Sequence, residues 1–271
     1  MERFGTMEAV YETFEKFANL VDPQGFIVVD AADSHNQRLM KSVKTRFITY
    51  ALEAPAQYNA ADQRFKGFGS SFDLIKDGQV LGRVELSVPG WQNILNSLAV
   101  FAVGFELGMD FGTIASGLRT FVGARRRFQT VGEYNNILII DDYAHHPTEV
   151  KATLAAARLG WPDRRIICIF QPHRFSRTMI LKDLFAEAFG DADRVIITDV
   201  YAASEAPIPG ISGQTIADLI KEKNVLYTQR KETIPADLVS ELKPGDIVLT
   251  LGAGDIYTVG RELLARLKSN Q

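Results

Sequence analysis

One segment of the sequence specifies a strand, a turn and the start of a helix in succession: NILIIDDYAHHPTE, residues 136–149. Its first part, Asn136 to Ile140, is apolar and rich in β-branched residues, as a parallel strand buried on both faces requires. Pro147 favours the first turn of a helix, where a missing amide hydrogen costs nothing. The polar residues between them therefore follow the carboxyl end of a strand, the edge at which open α/β sheets bind ligands.

A second segment further along the chain has the same design: RIICIFQPHRFSR, residues 165–177. An apolar strand, Arg165 to Ile169, leads into a turn that carries His173, Arg174 and Arg177. We expect the two strands to be neighbours in one sheet, so that both polar turns face one ligand.

Apolar runs and helical patterns alternate regularly from Ile137 onward. Such alternation predicts a mostly parallel sheet with helices on both faces. The predicted strands are 137–141, 165–170, 194–198, 225–228 and 246–251, and the predicted helices lie near 147–159, 177–189, 213–223, 233–242 and 255–267. A domain boundary is expected between Phe128 and Asn135, where an apolar helix gives way to a polar link that contains glycine.

The first half of the chain mixes strand types. Asp77-Gly78 favours a type I′ hairpin between alternating segments in 71–87, and Ser34 can cap a short helix. Further strands are expected at 25–30 and 46–51, and further helices at 6–20, 91–107 and 110–121, the last of these capped by Asp110.

Composition narrows the class of protein. With 271 residues, of which 46% are hydrophobic and 23% charged, the chain suits one large or two modest domains. A formal net charge of -3 argues against a nucleic-acid or membrane-surface binder, so small-molecule partners are expected. The single cysteine, Cys168, lies in an apolar strand and predicts a core thiol in a reducing compartment. Because neither a signal peptide nor a membrane-spanning run is recognisable, the expected location is the cytoplasm.

Two adjacent imidazoles, His145 and His146, are the first candidates for chemistry. Next to Pro147, one of them can be a helix cap, whereas a neutral imidazole can also accept a proton near neutral pH. Asp142 and Tyr143 beside them could bind a sugar hydroxyl and stack on a ring. A zinc site is the weaker interpretation because no further Cys or His has ligand spacing.

Arginines are the second set of candidates. Arg174 and Arg177 are three residues apart, which can place both on one side of a first helical turn, and arginine binds carboxylates and phosphates bidentately. The alternative is a solvated helix start capped by Ser176. Arg127 belongs either to a charged hinge or to a phosphate contact. Asn93 and Asn96, one helical turn apart, could bond a base edge. The Gly252-Ala253-Gly254 segment is best interpreted as a tight turn.

Four segments resemble, in the right order, the signatures of the UDP-N-acetylmuramate:L-alanine ligases within the Mur ligase family. They are DDYAHHPTE at 141–149, FQPHRFSR at 170–177, EAPIPG at 205–210 and GAGDI at 252–256. The resemblance covers essentially the whole chain and implies an α/β fold. It places an incomplete central, ATP-binding domain with a mixed sheet and helices at 1–130. A Rossmann-like, mostly parallel carboxyl-terminal domain that binds the amino acid follows at 131–271.

The resemblance also implies a reaction. In the family, ATP phosphorylates the lactyl carboxylate of UDP-N-acetylmuramate, and L-alanine attacks the acyl phosphate, in the synthesis of peptidoglycan precursors. No Gly-x-x-x-x-Gly-Lys-Ser/Thr phosphate loop occurs in these residues. The implied protein is therefore a carboxyl-terminal fragment, inactive alone, whose magnesium ligands lie mainly elsewhere. The alternatives are a murein tripeptide ligase and a non-catalytic nucleotide-binding remnant.

Matching positions carry the family's roles onto this chain. The resemblance assigns catalysis to His145, Arg174 and Arg177, and substrate binding to Tyr143, His146 and His173. It assigns ATP binding to Asn93, Asn96, Arg127 and Asp142. Gln92 departs from the pattern, because family members usually carry a histidine there.

Overall fold

The computed structural model describes residues 5–221 and 224–269, which form two compact units. Unit 1 takes up the chain to Phe121, apart from two short segments, Lys66–Phe68 and Val88–Gly90. These segments belong with Val122 and the rest of the chain to unit 2. The assignment of domains to 1–130 and 131–271 stays a prediction.

Unit 1 is built on a mixed five-stranded sheet in the order β1-β2-β3-β4-β5. The first two pairings are parallel and β4 pairs antiparallel with β5, so the predicted mixture of strand types is confirmed. The strands are β1 (Phe26–Asp30), β2 (Arg46–Tyr50), β3 (Tyr58–Lys66), β4 (Gly69–Lys76) and β5 (Gln79–Leu86). The helices are α1 (Met7–Ala18), α2 (Ser34–Ser42), α3 (Trp91–Glu106) and α4 (Phe111–Thr120).

Local turn chemistry explains three details of unit 1. Asp77 and Gly78 have φ of 49° and 82°, as the predicted type I′ hairpin requires. Asp110 caps α4 as predicted, since its carboxylate accepts from the Thr113 amide at 2.9 Å. The predicted cap of α2 is wrong. The N-cap is Asp33, whose side chain accepts from the amides of His35 and Asn36, and Ser34 is the first residue of the helix. A carboxylate one position earlier reaches these amides and also suits the positive helix end.

Unit 2 has a six-stranded sheet in the order β10-β9-β8-β11-β7-β6. The strands are β6 (Gln129–Tyr134), β7 (Ile137–Asp142), β8 (Ile166–Phe170), β9 (Arg194–Thr198), β10 (Asn224–Thr228) and β11 (Ile247–Leu251). The helices are α5 (Pro147–Gly160), α6 (Phe175–Ala186), α7 (Gly213–Ala217), α8 (Ile234–Val239) and α9 (Tyr257–Ser269). All pairings except β6 with β7 are parallel, which confirms the mostly parallel sheet.

The core of unit 2 lies on both faces of this sheet. Successive side chains of a strand point to opposite faces, so Ile140 packs in one cluster and Ile139 in the other. Helices α5 to α7 cover the first face and α8 and α9 the second. Cys168 is fully buried in the first cluster, which confirms the predicted core thiol, and burial raises the pKa of this thiol.

Several expectations for unit 2 are wrong. Strands β7 and β8 are not neighbours, because β11 pairs with both. The segment 129–134, expected to be a link, is the edge strand β6, joined to β7 through Asn135 and Asn136 at φ of 47° and 58°. Asparagine tolerates these left-handed positions, so a two-residue hairpin is possible there without glycine.

Helix lengths in unit 2 also differ from expectation. Helix α6 starts at Phe175, two residues earlier than predicted, because the carboxylate of Glu205, distant in sequence, accepts from the Ser176 amide at its amino end. Helix α7 ends at Ala217 instead of continuing to 223, and residues 222 and 223 of that prediction lie outside the described residues. The predicted helix 233–242 is a 3-10 turn, Lys231–Thr233, followed by the short α8. Within the described part of the chain, no helix is long and apolar enough to cross a membrane.

Candidate functional site

The polar turns after β7 and β8 meet above the end of β11. The rings of His145 and His173 lie 5.9 Å apart, although β11 separates their strands. Two glycines after β11 permit this close approach. A Cβ at Gly252 would lie 2.8 Å from the Gln171 carbonyl oxygen, and one at Gly254 would lie 2.4 Å from the Gln171 side-chain oxygen. The tight turn expected at 252–254 therefore leaves room for the β8 loop to cross.

His146 acts as the N-cap of α5. Its Nδ1 accepts a hydrogen bond from the Thr148 amide at 3.3 Å, and its own amide donates to Glu149 Oε2 at 3.1 Å. This reciprocal arrangement is a capping box, which satisfies two amides that the helix itself leaves unpaired. Of the two alternatives for the adjacent imidazoles, the structural one describes His146. Its assignment to substrate binding stays a prediction.

His145 has a different environment. Its Nδ1 lies 2.9 Å from the Tyr143 carbonyl oxygen and 3.3 Å from Glu149 Oε2, and its amide donates to the same carboxylate oxygen at 3.0 Å. Because both neighbours of Nδ1 only accept, this nitrogen carries the proton of the neutral ring. The lone pair then lies on Nε2. The half-exposed ring of Tyr143 packs edge-on against His145, 5.3 Å away.

His173 has the opposite tautomer. Arg177 Nη1 lies 3.2 Å from its Nδ1, and since a guanidinium only donates, Nδ1 accepts and Nε2 carries the proton. Burial, together with the charges of Arg177 and Arg174, lowers the pKa of His173 to about 4. The ring also stacks on Tyr201, with centroids 5.6 Å apart and planes 9° from parallel. His173 is therefore a neutral donor at physiological pH.

The two arginines of this turn belong to different parts of helix α6. Arg174 occupies the N-cap position in a left-handed conformation with φ of 71°, and its amide donates to the Tyr201 carbonyl at 2.9 Å. Arg177 lies in the first turn and reaches back to His173. The charge of Arg177 also contributes to the lowered pKa of His146, after burial. Arg177 therefore contacts the turn that carries His173.

Asp142 is a buried carboxylate at the end of β7. It accepts from the amides of Phe128 and Ala144 at 2.9 and 2.8 Å, and Arg127 Nη1 lies 3.8 Å away. Burial raises its pKa, and these bonds oppose the rise only in part. Arg127 is half-exposed and also contacts Glu149 at 3.2 Å. Asp142 thus fixes the segment that carries Arg127.

Arg126 is a residue that sequence reasoning missed. Its Nε donates to Asp141 at 2.9 Å, and its two terminal nitrogens donate to the carbonyls of Gly252 and Gly254 at 2.7 and 3.1 Å. The guanidinium also lies 5.0 Å from the centre of the Tyr143 ring. It thus ties the turns after β7 and β11 together. Nothing in the sequence distinguishes it from the neighbouring arginines.

The remaining candidates lie in unit 1. Asn93 and Asn96 are one turn apart near the start of α3, with Asn96 exposed and Asn93 partly exposed. Within residues 5–221 and 224–269, no group of three or more His, Cys, Asp or Glu side chains is arranged to hold a metal ion.

Comparison with known proteins identifies the family. The model of the Mur ligase middle domain matches residues 1–104, and that of the Mur ligase glutamate ligase domain matches residues 126–254. The chain belongs to the Mur ligase family. It is 43% identical over 267 residues to the UDP-N-acetylmuramate–L-alanine ligase of Geobacter sulfurreducens, covering 97% of this chain. The chain spans 58% of the length of that relative.

Solved Mur ligases share this fold. The UDP-N-acetylmuramate–alanine ligase of Thermotoga maritima is 27% identical with a TM-score of 0.81, over 98% of this chain and 56% of that structure. A murein peptide ligase of Psychrobacter arcticus is 23% identical with a TM-score of 0.63, over 97% and 55%. The second likeness shows the fold alone. The expected Mur-ligase α/β fold is confirmed.

Proposed function

We propose that this chain is the carboxyl-terminal part of an ATP-dependent ligase that joins L-alanine to UDP-N-acetylmuramate in peptidoglycan precursor synthesis. The observation that carries the proposal is the 43% identity to a UDP-N-acetylmuramate–L-alanine ligase over 97% of the chain. The site geometry supports it, because a cationic and imidazole-rich surface at the edge of a parallel sheet suits an anionic substrate. ATP and a UDP-linked sugar as substrates agree with a cytoplasmic location.

The reaction proceeds through an acyl phosphate of the lactyl carboxylate. The α-amine of L-alanine attacks the acyl carbon, the new C–N bond forms, and the C–O bond to phosphate breaks. Arg174 and Arg177 supply positive charge for the anionic groups of the substrates. The Nε2 lone pair of His145 can take the proton that the amine loses, and the Nε2–H of His173 can donate to an oxygen.

The roles in ATP binding follow the positions that match the family. Asn93 and Asn96 contact the adenine, while Arg127 and Asp142 contact the phosphates and the ribose. Arg127 is suited to this role because its guanidinium is half-exposed. Magnesium bound to ATP would neutralise phosphate charge, and none of the roles above depends on it.

The test is ADP release by a full-length ligase that carries this chain. We expect ADP release to require ATP, UDP-N-acetylmuramate and L-alanine together. Release that needs a tripeptide instead of L-alanine would overturn the proposal in favour of a murein peptide ligase. No release with either acceptor would contradict both activities.

A further inference from the structure

The loop after β9 contains the segment EAPIPG, residues 205–210, to which the proposed reaction gives no role. Ala203 and Ser204 both adopt left-handed conformations, with φ of 48° and 71°. The Glu205 amide closes the turn by donating to the Ala202 carbonyl at 3.0 Å. Left-handed residues other than glycine cost roughly 1 kcal/mol each, so contacts elsewhere must hold this loop in place.

The first such contact is with the turn that carries His173. The Tyr201 amide donates to the Pro172 carbonyl at 2.8 Å, and the Arg174 amide donates to the Tyr201 carbonyl at 2.9 Å. These bonds form an isolated parallel bridge between His173 and Tyr201, and the two rings stack. The loop after β9 therefore holds the backbone and the ring of His173.

The second contact is with the amino end of α6. Glu205 Oε1 accepts from the Ser176 hydroxyl at 2.6 Å, and Oε2 accepts from the Ser176 amide at 3.0 Å. No side-chain cap bond comes from the N-cap position itself, because arginine offers only donors there. A carboxylate 29 residues away in sequence thus does what an N-cap side chain does in other helices.

Neighbouring groups favour the charged form of the Glu205 carboxylate. Burial acts to raise its pKa, but the hydrogen bonds from Ser176 and the charge of Arg174 outweigh burial, so the pKa lies below its usual value. The carboxylate is therefore ionised at neutral pH. Its two hydrogen bonds with Ser176 hold the amino end of α6 in place.

We propose that Glu205 is a positioning residue that fixes the amino end of α6, and with it the arrangement of His173, Arg174 and Arg177 for the amino-acid substrate. The inference rests on the proposed function. It adds a residue that positions the substrate-binding side chains without itself being assigned a contact with the substrate. Arg174 holds a strained backbone conformation, and such conformations persist only where the surroundings impose them. Bonds from Tyr201 and Glu205 on either side supply that constraint.

The test uses Glu205→Ala and Glu205→Gln, with Glu187→Ala as a matched control at the exposed carboxyl end of the same helix. In a full-length ligase, we expect Glu205→Ala to raise KM for L-alanine about tenfold, with KM for ATP changed less than about twofold. Glu205→Gln keeps an acceptor for the Ser176 amide and should restore most of the affinity. Glu187→Ala should leave all values unchanged.

A second readout separates this inference from the proposed function. In the 271-residue chain, ¹⁵N NMR of His173 should show a protonated Nε2 in the wild type and a mixture of tautomers in Glu205→Ala. If the ligase does not use L-alanine but the tautomer still changes, the function fails and the positioning role stands. A variant that loses thermal stability while the His173 signals and KM for L-alanine stay unchanged would overturn the positioning role.

Discussion

At the scale of single residues, the site rests on two imidazoles in opposite tautomers. His145 has its proton fixed on Nδ1 by two acceptors, whereas His173 has its Nδ1 lone pair occupied by Arg177. The sequence predicts that these residues belong to one site, because they follow parallel strands. It does not predict the tautomers, which depend on the Tyr143 carbonyl and on an arginine one helical turn away.

The electrostatic environment of His173 leads to a prediction for its titration. NMR titration of the chain should give a pKa of about 4, and Arg177→Met should raise it toward the ordinary value of 6.5, because a nearby positive charge is removed. Arg266→Met, an exposed control on α9, should leave it unchanged. A wild-type pKa near 6.5 would contradict the site geometry.

The same shift predicts the pH dependence of stability. The unfolded chain takes up a proton on His173 as the pH falls below 6.5, while the folded chain does not do so until about pH 4. The free energy of unfolding therefore falls progressively as the pH is lowered from 6.5 to about 4, and this contribution does not change further at lower pH. Because solvent screens the partly exposed ring, we expect a loss of only about 1 kcal/mol, measured by urea unfolding at pH 7 and pH 4.5 in wild type and His173→Gln.

At the scale of elements, the sequence predicts the strands and the longer helices of unit 2 well. Short apolar runs rich in β-branched residues favour buried parallel strands, and the segments between them have helical periodicity. It fails where an element depends on distant partners. The amino end of α6 is capped from Glu205, and β6 is an edge strand that needs pairing on one side only. A polar edge strand such as β6 resembles a link in its composition, since one of its sides faces no other strand.

The capping box of α5 gives a prediction for one element. Glu149 accepts from the amides of His145 and His146, so Glu149→Ala should lower the free energy of unfolding by about 1–2 kcal/mol. Glu149→Gln keeps an acceptor oxygen and should lose less than half of that. Urea unfolding of the chain measures both variants. Equal losses in the two variants would show that charge alone, and not the reciprocal bonds, stabilises the helix start.

At the scale of the whole molecule, the sequence predicts two α/β parts and the edge of the second sheet that carries the candidate site. The strand order of that sheet is not predictable from the pattern, because β11 comes last along the chain and yet inserts between β7 and β8. The inserted strand ends in the glycine-containing turn, which allows the polar turns on either side to meet.

The length of the chain relative to its relatives gives a prediction for the isolated protein. It spans 58% of a homologous ligase, and no phosphate loop occurs in its sequence. Purified residues 1–271 should therefore show no ADP release with ATP, UDP-N-acetylmuramate and L-alanine. Release that depends on all three would show that the chain is sufficient by itself.

The most direct test of the central claim, that the turns after β7 and β8 form one binding surface for the amino acid, is the KM for L-alanine of Arg177→Ala in a full-length ligase. We expect this KM to rise at least tenfold while KM for ATP changes less than about twofold, with Arg266→Ala as the unaffected control. An unchanged KM for L-alanine in Arg177→Ala would contradict the claim.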